Sequence, residues 1–241
     1  MTLDLTLYDF PAKTGVDGWD SFSPFVLEVA RALRLAKLPY EHVYAPMTKL
    51  KELNPIGQLP VVAFGGEKVA DSTRIMRRIE ELKPGSLTKG LDARGKAESW
   101  LWEEFADTAL YPYVLATRWA DDRGWPVPRA RFFGGLPPIV RTLVGNSVRR
   151  GTIAKLVGRD FLRGGLEACY ARMATTLDEL DARAPAEGFW LGASVTAADL
   201  GLFAHLQSLR IPLVEHAAQE VAKRENLSKY LDRVDAATAK R

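Results

Sequence analysis

Two stretches of this 241-residue chain place reactive side chains at the start of a helix. The first is Ser21-Phe22-Ser23-Pro24-Phe25. Ser23 is suited to the N-cap, where a side-chain oxygen accepts a bond from an otherwise unpaired backbone N–H. Pro24 suits the first helical position, since its missing N–H costs nothing there and its φ is already helical. Phe25, Val26, Val29, Leu33 and Ala36 then form a helical stripe that faces a core. A hydroxyl held at the positive end of a helix dipole favours an anion, and a thiolate is one candidate. The plainer alternative is that Ser23 only caps its helix. The second stretch, Asp71-Ser72, precedes Ile75, Met76, Ile79 and Leu82 on one helical face. It either caps that helix or offers exposed N–H groups and the Ser72 hydroxyl to a carboxylate, and both roles are compatible.

Other reactive side chains read as structural. Cys169 lies on an apolar helical face with Leu166, Met173, Leu177 and Leu180, which makes it a core residue. His42, His205 and His216 lack metal-ligand spacing and a partner cysteine, so no metal is assigned. Trp100, Trp102, Trp119 and Trp125 read mainly as core, with one or two lining an apolar pocket.

The elements that position the two helix starts follow from periodicity. Leu3, Leu5 and Leu7 alternate with polar residues and predict a strand that Pro11 ends; Ala12 to Asp20, with Gly15, Asp17 and Gly18, predicts a loop. The helix after Ser23 runs to about Lys37, and Leu38-Pro39 stops it. Tyr40 to Ala45 predicts a second strand, parallel to the first through a right-handed crossover. Met47 to Leu53 predicts a short helix or turn. Gln58 to Phe64 predicts a strand entered through Pro60, with Gly65-Gly66 turning the chain into a return strand. The order βαβ then ββα fits a thioredoxin-like sheet of four strands.

Pro84 to Asp92 is the best domain boundary, and no persuasive strand follows it. Ala93 to Asp121 predicts a long helix or helix pair kinked by Pro112. Gly124 to Pro138, with four prolines and three glycines, predicts a loop, and Leu143 to Gly165 predicts short helices. Further helices are predicted around Leu166 to Leu180, after Thr196-Ala197-Ala198-Asp199 with its capping-box spacing, and around Leu227 to Val234.

Composition is that of a soluble globular protein, with 47% hydrophobic and 26% charged residues. The net charge of +3 hides nine basic residues against one acid between Arg123 and Arg163. That segment reads as a solvated face, an anion-attracting rim, or an acidic membrane or nucleic-acid surface. Its prolines and glycines weaken the nucleic-acid reading. One cysteine excludes an intrachain disulfide and makes a reducing compartment the default. Met1 to Leu7 lacks signal-peptide features, and no stretch approaches the roughly 18 apolar residues of a membrane span. The expectation is a cytoplasmic protein with no transmembrane segment and no nucleic-acid partner.

Four motifs in order resemble the glutathione transferase superfamily. They are Ser23-Pro24-Phe25, Asn54-Pro55-Ile56-Gly57-Gln58-Leu59-Pro60-Val61, Asp71-Ser72-Thr73-Arg74-Ile75 and Thr196-Ala197-Ala198-Asp199. Within it the chain is most similar to the branch of failed-axon-connections and metaxin-like proteins. That likeness rests on Ser21 to Phe25, Leu38-Pro39-Tyr40-Glu41, Arg118-Trp119-Ala120-Asp121 and the basic insert. Val26 stands where many members of that branch have Cys, and the loop before Ser23 is long.

The resemblance implies a thioredoxin-like glutathione-binding domain over residues 1–84 and an all-helical domain over residues 93–241 that contributes the second-substrate pocket. It implies glutathione as co-substrate, with Ser23 donating a hydrogen bond to its thiolate and Ser21 as the competitor for that role. Leu59-Pro60 is expected to be cis, with Gln58 beside the cysteinyl-glycine part. Ser72 is expected at the γ-glutamyl carboxylate and Asp71 at the α-ammonium; Lys49 or Lys51 would meet the glycyl carboxylate. The implied activity is attack on an electrophilic apolar small molecule, or glutathione-dependent peroxide reduction, by a homodimer. The alternative is a non-catalytic binding or scaffolding protein of metaxin-like type. A cysteine-type oxidoreductase is disfavoured, because no cysteine lies near the first helix.

Overall fold

The structure, a computed structural model, describes residues 4–12, 14–16, 19–211 and 213–240. Met1, Thr2 and Leu3 of the predicted N-terminal strand, and Lys13, Asp17 and Gly18 of the loop after it, lie outside the described residues.

Leu5, Leu7 and Asp9 are buried while Thr6 and Tyr8 between them are half-buried, so β1 (Leu5–Asp9) has the period of a strand. It pairs in parallel with β2 (Glu41–Tyr44) and antiparallel with β3 (Val61–Phe64). β3 turns at Gly65-Gly66, both at positive φ, into antiparallel β4 (Glu67–Ala70). The sheet order is β2-β1-β3-β4. The crossover from β1 to β2 is helix α1 (Pro24–Leu35), followed by a 3-10 turn at Met47–Lys49 and a single helical turn, α2 (Leu50–Leu53). Helix α3 (Ser72–Leu82) follows β4. Val26, Val29, Ala30 and Leu33 of α1 share one buried core with Ile75, Met76 and Ile79 of α3 and the inward residues of β1 and β3. Each Val, Leu, Ile or Met side chain removed from water stabilises the fold by about 1.5–3 kcal/mol.

Beyond residue 84 the described residues hold helices and an isolated bridge between Phe189 and Gly192, with no further strand. Helix α4 (Ala93–Phe105) passes into a π-helical stretch, Ala106–Leu110, before α5 (Tyr111–Leu115). Pro112 therefore occupies the first turn of a restarted helix, where a missing N–H is tolerated.

Two sequence expectations are corrected here. The proline-rich stretch expected to be a loop contains helix α6 (Pro126–Phe133). Pro126 and Pro128 both sit in its first turn, where N–H groups have no intrahelical partner. The basic stretch expected as short helices is one helix, α7 (Pro138–Gly158), again begun by a proline at its first position. Gly145 and Gly151 lie inside it without breaking it, and Gly145 packs beside Trp125 and Phe133.

Helices α8 (Gly165–Arg183), α9 (Ala197–Arg210), α10 (Glu215–Ala222) and α11 (Glu225–Thr238) complete the chain; α10 was not anticipated. Asp199 accepts from Thr196 N, Thr196 Oγ1, Trp190 N and Tyr230 Oη at 2.7–2.8 Å. The capping box is thus also a buried hub joining the 190 turn to α11.

Contacts divide the chain into two compact units. The first gathers the described residues up to Asp107, Pro185–His205 and those from Tyr230 on. The second comprises Thr108–Ala184 and Leu206–Lys229. No helix of the described residues is long and apolar enough to cross a membrane.

Candidate functional site

Ser23 has extended backbone (φ −87°, ψ 121°) and its Oγ accepts from Val26 N at 3.4 Å, so it is the N-cap of α1. As an acceptor in that bond, the hydroxyl keeps its own proton to donate. Ser21, the competing hydroxyl, is sealed from solvent and donates to Asp9 Oδ1 at 2.9 Å, while its oxygen accepts from Ser23 N at 3.0 Å. Asp9 also accepts from Phe10 N, and a second oxygen lies 3.0 Å from His42 Nε2. Burial raises the Asp9 carboxyl above its ordinary range, while its His42, Ser21 and Phe10 bonds act in the opposite direction. Ser21 is thus spent on holding the turn before α1, and Ser23 is the hydroxyl of the pair with an uncommitted proton.

The loop into β3 is built by Asn54. Its side chain donates to Gln58 O at 2.9 Å and accepts from Ile56 N at 3.3 Å, and its carbonyl accepts from Gly57 N at 2.7 Å. Gly57, at φ +68°, takes a conformation open to glycine without steric cost. Leu59-Pro60 is cis. The Pro60 carbonyl accepts from Asp71 N at 3.4 Å, which ties the start of β3 to the start of α3.

Asp71 caps α3 by accepting from Arg74 N at 3.1 Å, and it does so at φ +84°, ψ 126°. A non-glycine residue at such a φ stores about 1–3 kcal/mol of strain. Ser72, the first residue of α3, is buried and its Oγ donates to Asp107 Oδ2 at 3.5 Å.

A cavity of about 330 Å³ brings these parts together. Its wall includes all five residues expected to hold glutathione: Gln58, Leu59, Pro60, Asp71 and Ser72. Phe25, the second residue of α1, also lines it, while Ser23 does not. Lys49 and Lys51 are exposed and are not part of the wall. Arg74 and Asp107 line the cavity too, and sequence reasoning missed both. Arg74 lies inside the Asp71-to-Ile75 motif but carried no assigned role. Asp107 reaches the cavity from a helix some 35 residues further on, and no local pattern marks it.

A parallel and antiparallel four-stranded sheet, entered at β3 through a cis-proline and flanked by two capped helices, is a thioredoxin-like fold, here followed by an all-α region. The model for the Glutathione S-transferase N-terminal domain matches residues 24–124, and that for the Glutathione S-transferase, C-terminal domain matches residues 163–233. The chain belongs to the glutathione transferase superfamily. It is 35% identical over 105 residues to Glutathione transferase GST 23 of Zea mays, covering 39% of this chain and 47% of that protein. It is 32% identical over 102 residues to Failed axon connections of Drosophila melanogaster, covering 38% of this chain and 24% of that one. The chain therefore spans less than half the length of either relative. In fold it is similar to the β-etherase LigF from Sphingobium sp. strain SYK-6, with TM-score 0.64 and 20% identity over 98% of this chain and 96% of the other. It is similar also to the Tau class enzyme MiGSTU of mango, with TM-score 0.60 and 18% identity over 97% and 89% of the two chains.

Proposed function

We propose that the chain is a glutathione transferase whose co-substrate occupies the cavity lined by Gln58, Leu59, Pro60, Asp71 and Ser72. The single observation that carries this reading is that those residues, drawn from the separate motifs at 58–60 and 71–72, share one cavity wall. The N–H groups at the start of α3 have no intrahelical partner and suit the γ-glutamyl carboxylate. Asp71 pairs with the α-ammonium, and the backbone of Leu59 bonds the cysteinyl residue as a short extra strand.

Ser23 supplies the chemistry. A free thiol, with pKa around 8.5, is mostly protonated at neutral pH, and a hydroxyl donor at a helix N-terminus favours the thiolate. Each unit of lowering is about 1.4 kcal/mol of preference for the charged form. The thiolate attacks an electrophilic carbon of an apolar substrate; a carbon–sulfur bond forms, and the displaced group leaves with the electron pair. With a hydroperoxide instead, two glutathiones are oxidised to the disulfide and the peroxide is reduced to an alcohol and water. The sequential division into residues 1–84 for glutathione and 93–241 for the second substrate belongs to this proposal, as do a cytoplasmic location and a two-fold homodimer. Sedimentation at the monomer mass, or recovery in a membrane fraction, would remove those two parts.

The test is retention on immobilised glutathione together with conjugation of an activated aryl halide, for wild type and Ser23→Ala. The expected result is that the wild type binds and conjugates, and that the variant still binds but turns over about tenfold to a hundredfold more slowly. A wild type that binds glutathione without conjugating or reducing a peroxide supports the scaffolding alternative. A wild type that does not bind overturns the reading, and a variant with undiminished turnover removes Ser23 from the mechanism.

A further inference from the structure

Among the described residues, ten large hydrophobic side chains stand well exposed to water, and six of them lie on α7: Ile139, Val140, Leu143, Val144, Val148 and Val157. Ile139 and Leu143 are the most open of the six, at 77% and 67% exposure. Single exposed apolar residues need no explanation, but a contiguous set on one element marks a contact surface. The spacing makes this set contiguous. Leu143 follows Ile139 at an interval of four, as Val144 follows Val140 and Val148 follows Val144, so successive turns extend two adjacent rows. Gly145 and Leu156, on the far side of the helix, are buried.

The cations of this segment divide by direction. Arg149 is spent inward: its Nε donates to Trp119 O at 2.7 Å, and a terminal nitrogen donates to Ala120 O at 3.1 Å and to Asp122 Oδ1 at 2.6 Å. Arg141 donates to the carbonyls of Gly134 and Leu136 at 2.7 and 3.2 Å. Arg150, Lys155 and Arg159, by contrast, are exposed and pair with no acid among the described residues. Arg150 follows Leu143 by seven residues and Lys155 follows Val144 by eleven, both close to whole numbers of turns. The cations therefore prolong the apolar rows toward the end of the helix. α7 itself contains no acidic residue. Its outward face is thus apolar in the first half and positive in the second. Both α6 and α7 fall between the stretches matched by the two domain models, 24–124 and 163–233, so this face belongs to neither matched domain.

We propose that the outward face of α7 docks this chain on the surface of an anionic phospholipid bilayer. The helix lies along the surface, with Ile139, Leu143 and Val144 sunk into the boundary between headgroups and acyl chains. Arg150, Lys155 and Arg159 then meet the lipid phosphates and carboxylates. Charge complementarity selects this occupant. A second copy seated on the same face would double an acid-free positive surface and neutralise none of it. Nucleic acid would satisfy the cations but leave Ile139 and Leu143 in water. An anionic bilayer answers both halves of the face. The attachment is peripheral: a few aliphatic side chains and three cations bind weakly, wash off in salt, and leave the chain exchanging with the solution. None of these residues lines the glutathione cavity, so the test needs no glutathione.

The full chain is sedimented with vesicles of phosphatidylcholine alone and with vesicles holding about one third phosphatidylserine, at about 0.1 M and about 0.5 M NaCl. The expected result is binding to the anionic vesicles at low salt, about tenfold less at high salt, and none to the neutral ones. Each outward cation strengthens binding about fivefold, so Arg150→Gln, Lys155→Gln and Arg159→Gln together should weaken it about a hundredfold. Ile139→Ser with Leu143→Ser should weaken it about tenfold while melting with the wild type, because both side chains are exposed. If the double variant fails to fold, Leu143→Ser alone should weaken binding about threefold. No binding to anionic vesicles, or equal binding to neutral ones, overturns the proposal. Undiminished binding by the folded serine variant overturns it too, since charge alone would then account for the binding. So does a wild-type dimer that the serine variant dissolves, which would assign the face to a second copy.

Discussion

Asp71 is expected to separate stability from binding. Its φ of +84° holds about 1–3 kcal/mol of backbone strain, and its bond from Arg74 N is a cap whose loss to alanine costs about 1 kcal/mol. In Asp71→Ala the strain stays and the cap goes, so the variant should be about 1 kcal/mol less stable. In Asp71→Gly the strain goes, a few tenths of a kcal/mol of cap are lost, and the added freedom of the unfolded chain costs about 0.5–1 kcal/mol. The glycine variant should therefore lie between neutral and about 2 kcal/mol more stable than wild type, and above the alanine variant by about 1–3 kcal/mol. At this chain length that gap is about 2–10 °C in melting temperature, with denaturant titration as the second measure. Both variants remove the carboxylate proposed for the α-ammonium of glutathione. A hydrogen bond between charged groups contributes about 1.5–3 kcal/mol, so glutathione should bind both about tenfold to a hundredfold more weakly. Calorimetry with glutathione and with its analogue lacking the α-amino group isolates the pair, since the analogue should bind wild type and variants alike. A glycine variant less stable than the alanine one would refute the strain argument. Unchanged glutathione affinity in both would refute the ammonium pairing.

Other expectations concern the second unit. Burial opposes the charge on Asp121, but bonds from Arg123 and Tyr170 outweigh it and hold the carboxyl at about 2. A depressed carboxyl stabilises above its unfolded value of 3.8 and loses that contribution as pH falls from about 4 through about 2. Asp121→Asn should therefore lose at most about 2 kcal/mol at pH 7 in denaturant titration, less for the exposure of Arg123, and a variant as stable as wild type would contradict this. Gly124→Ala would set a Cβ 1.9 Å from the Thr117 carbonyl oxygen and 2.7 Å from Val214, and should cost about 3 kcal/mol or more; an unshifted melting curve would count against that packing. Burial pushes the Cys169 thiol up to about 11, so iodoacetamide at pH 8 should label it only after denaturant is added, and prompt labelling of the folded chain would disprove its burial.

The sheet, α1, α3 and both caps were legible because their signals are local: alternation in Leu5 and Leu7, Ser23-Pro24, the Gly65-Gly66 turn, Asp71-Ser72. The cavity was half legible for the same reason, since Gln58 to Pro60 and Asp71-Ser72 sit in capping and turn motifs. What failed was the reading of proline as a breaker. Pro126, Pro128 and Pro138 lie in first turns, where the ring is compatible with a helix. The bond from Ser21 to Asp9 was not legible, because the two lie twelve residues apart across the turn. Glu28 of α1 is fully buried against Gly201 of α9, a long-range contact that no local pattern signals.

The two sides of α3 then pose one problem with one proton. Ser72 Oγ donates to Asp107 Oδ2, and a hydroxyl has a single proton to give. If that bond persists when a γ-glutamyl carboxylate sits at the helix start, Ser72 offers the ligand only lone pairs, which repel it. The carboxylate would then be held by the backbone N–H groups of the first turn and by the helix dipole, with Arg74 as a cation of the same cavity wall. The buried Asp107 carboxyl and the cavity wall are in this sense coupled through a single hydroxyl.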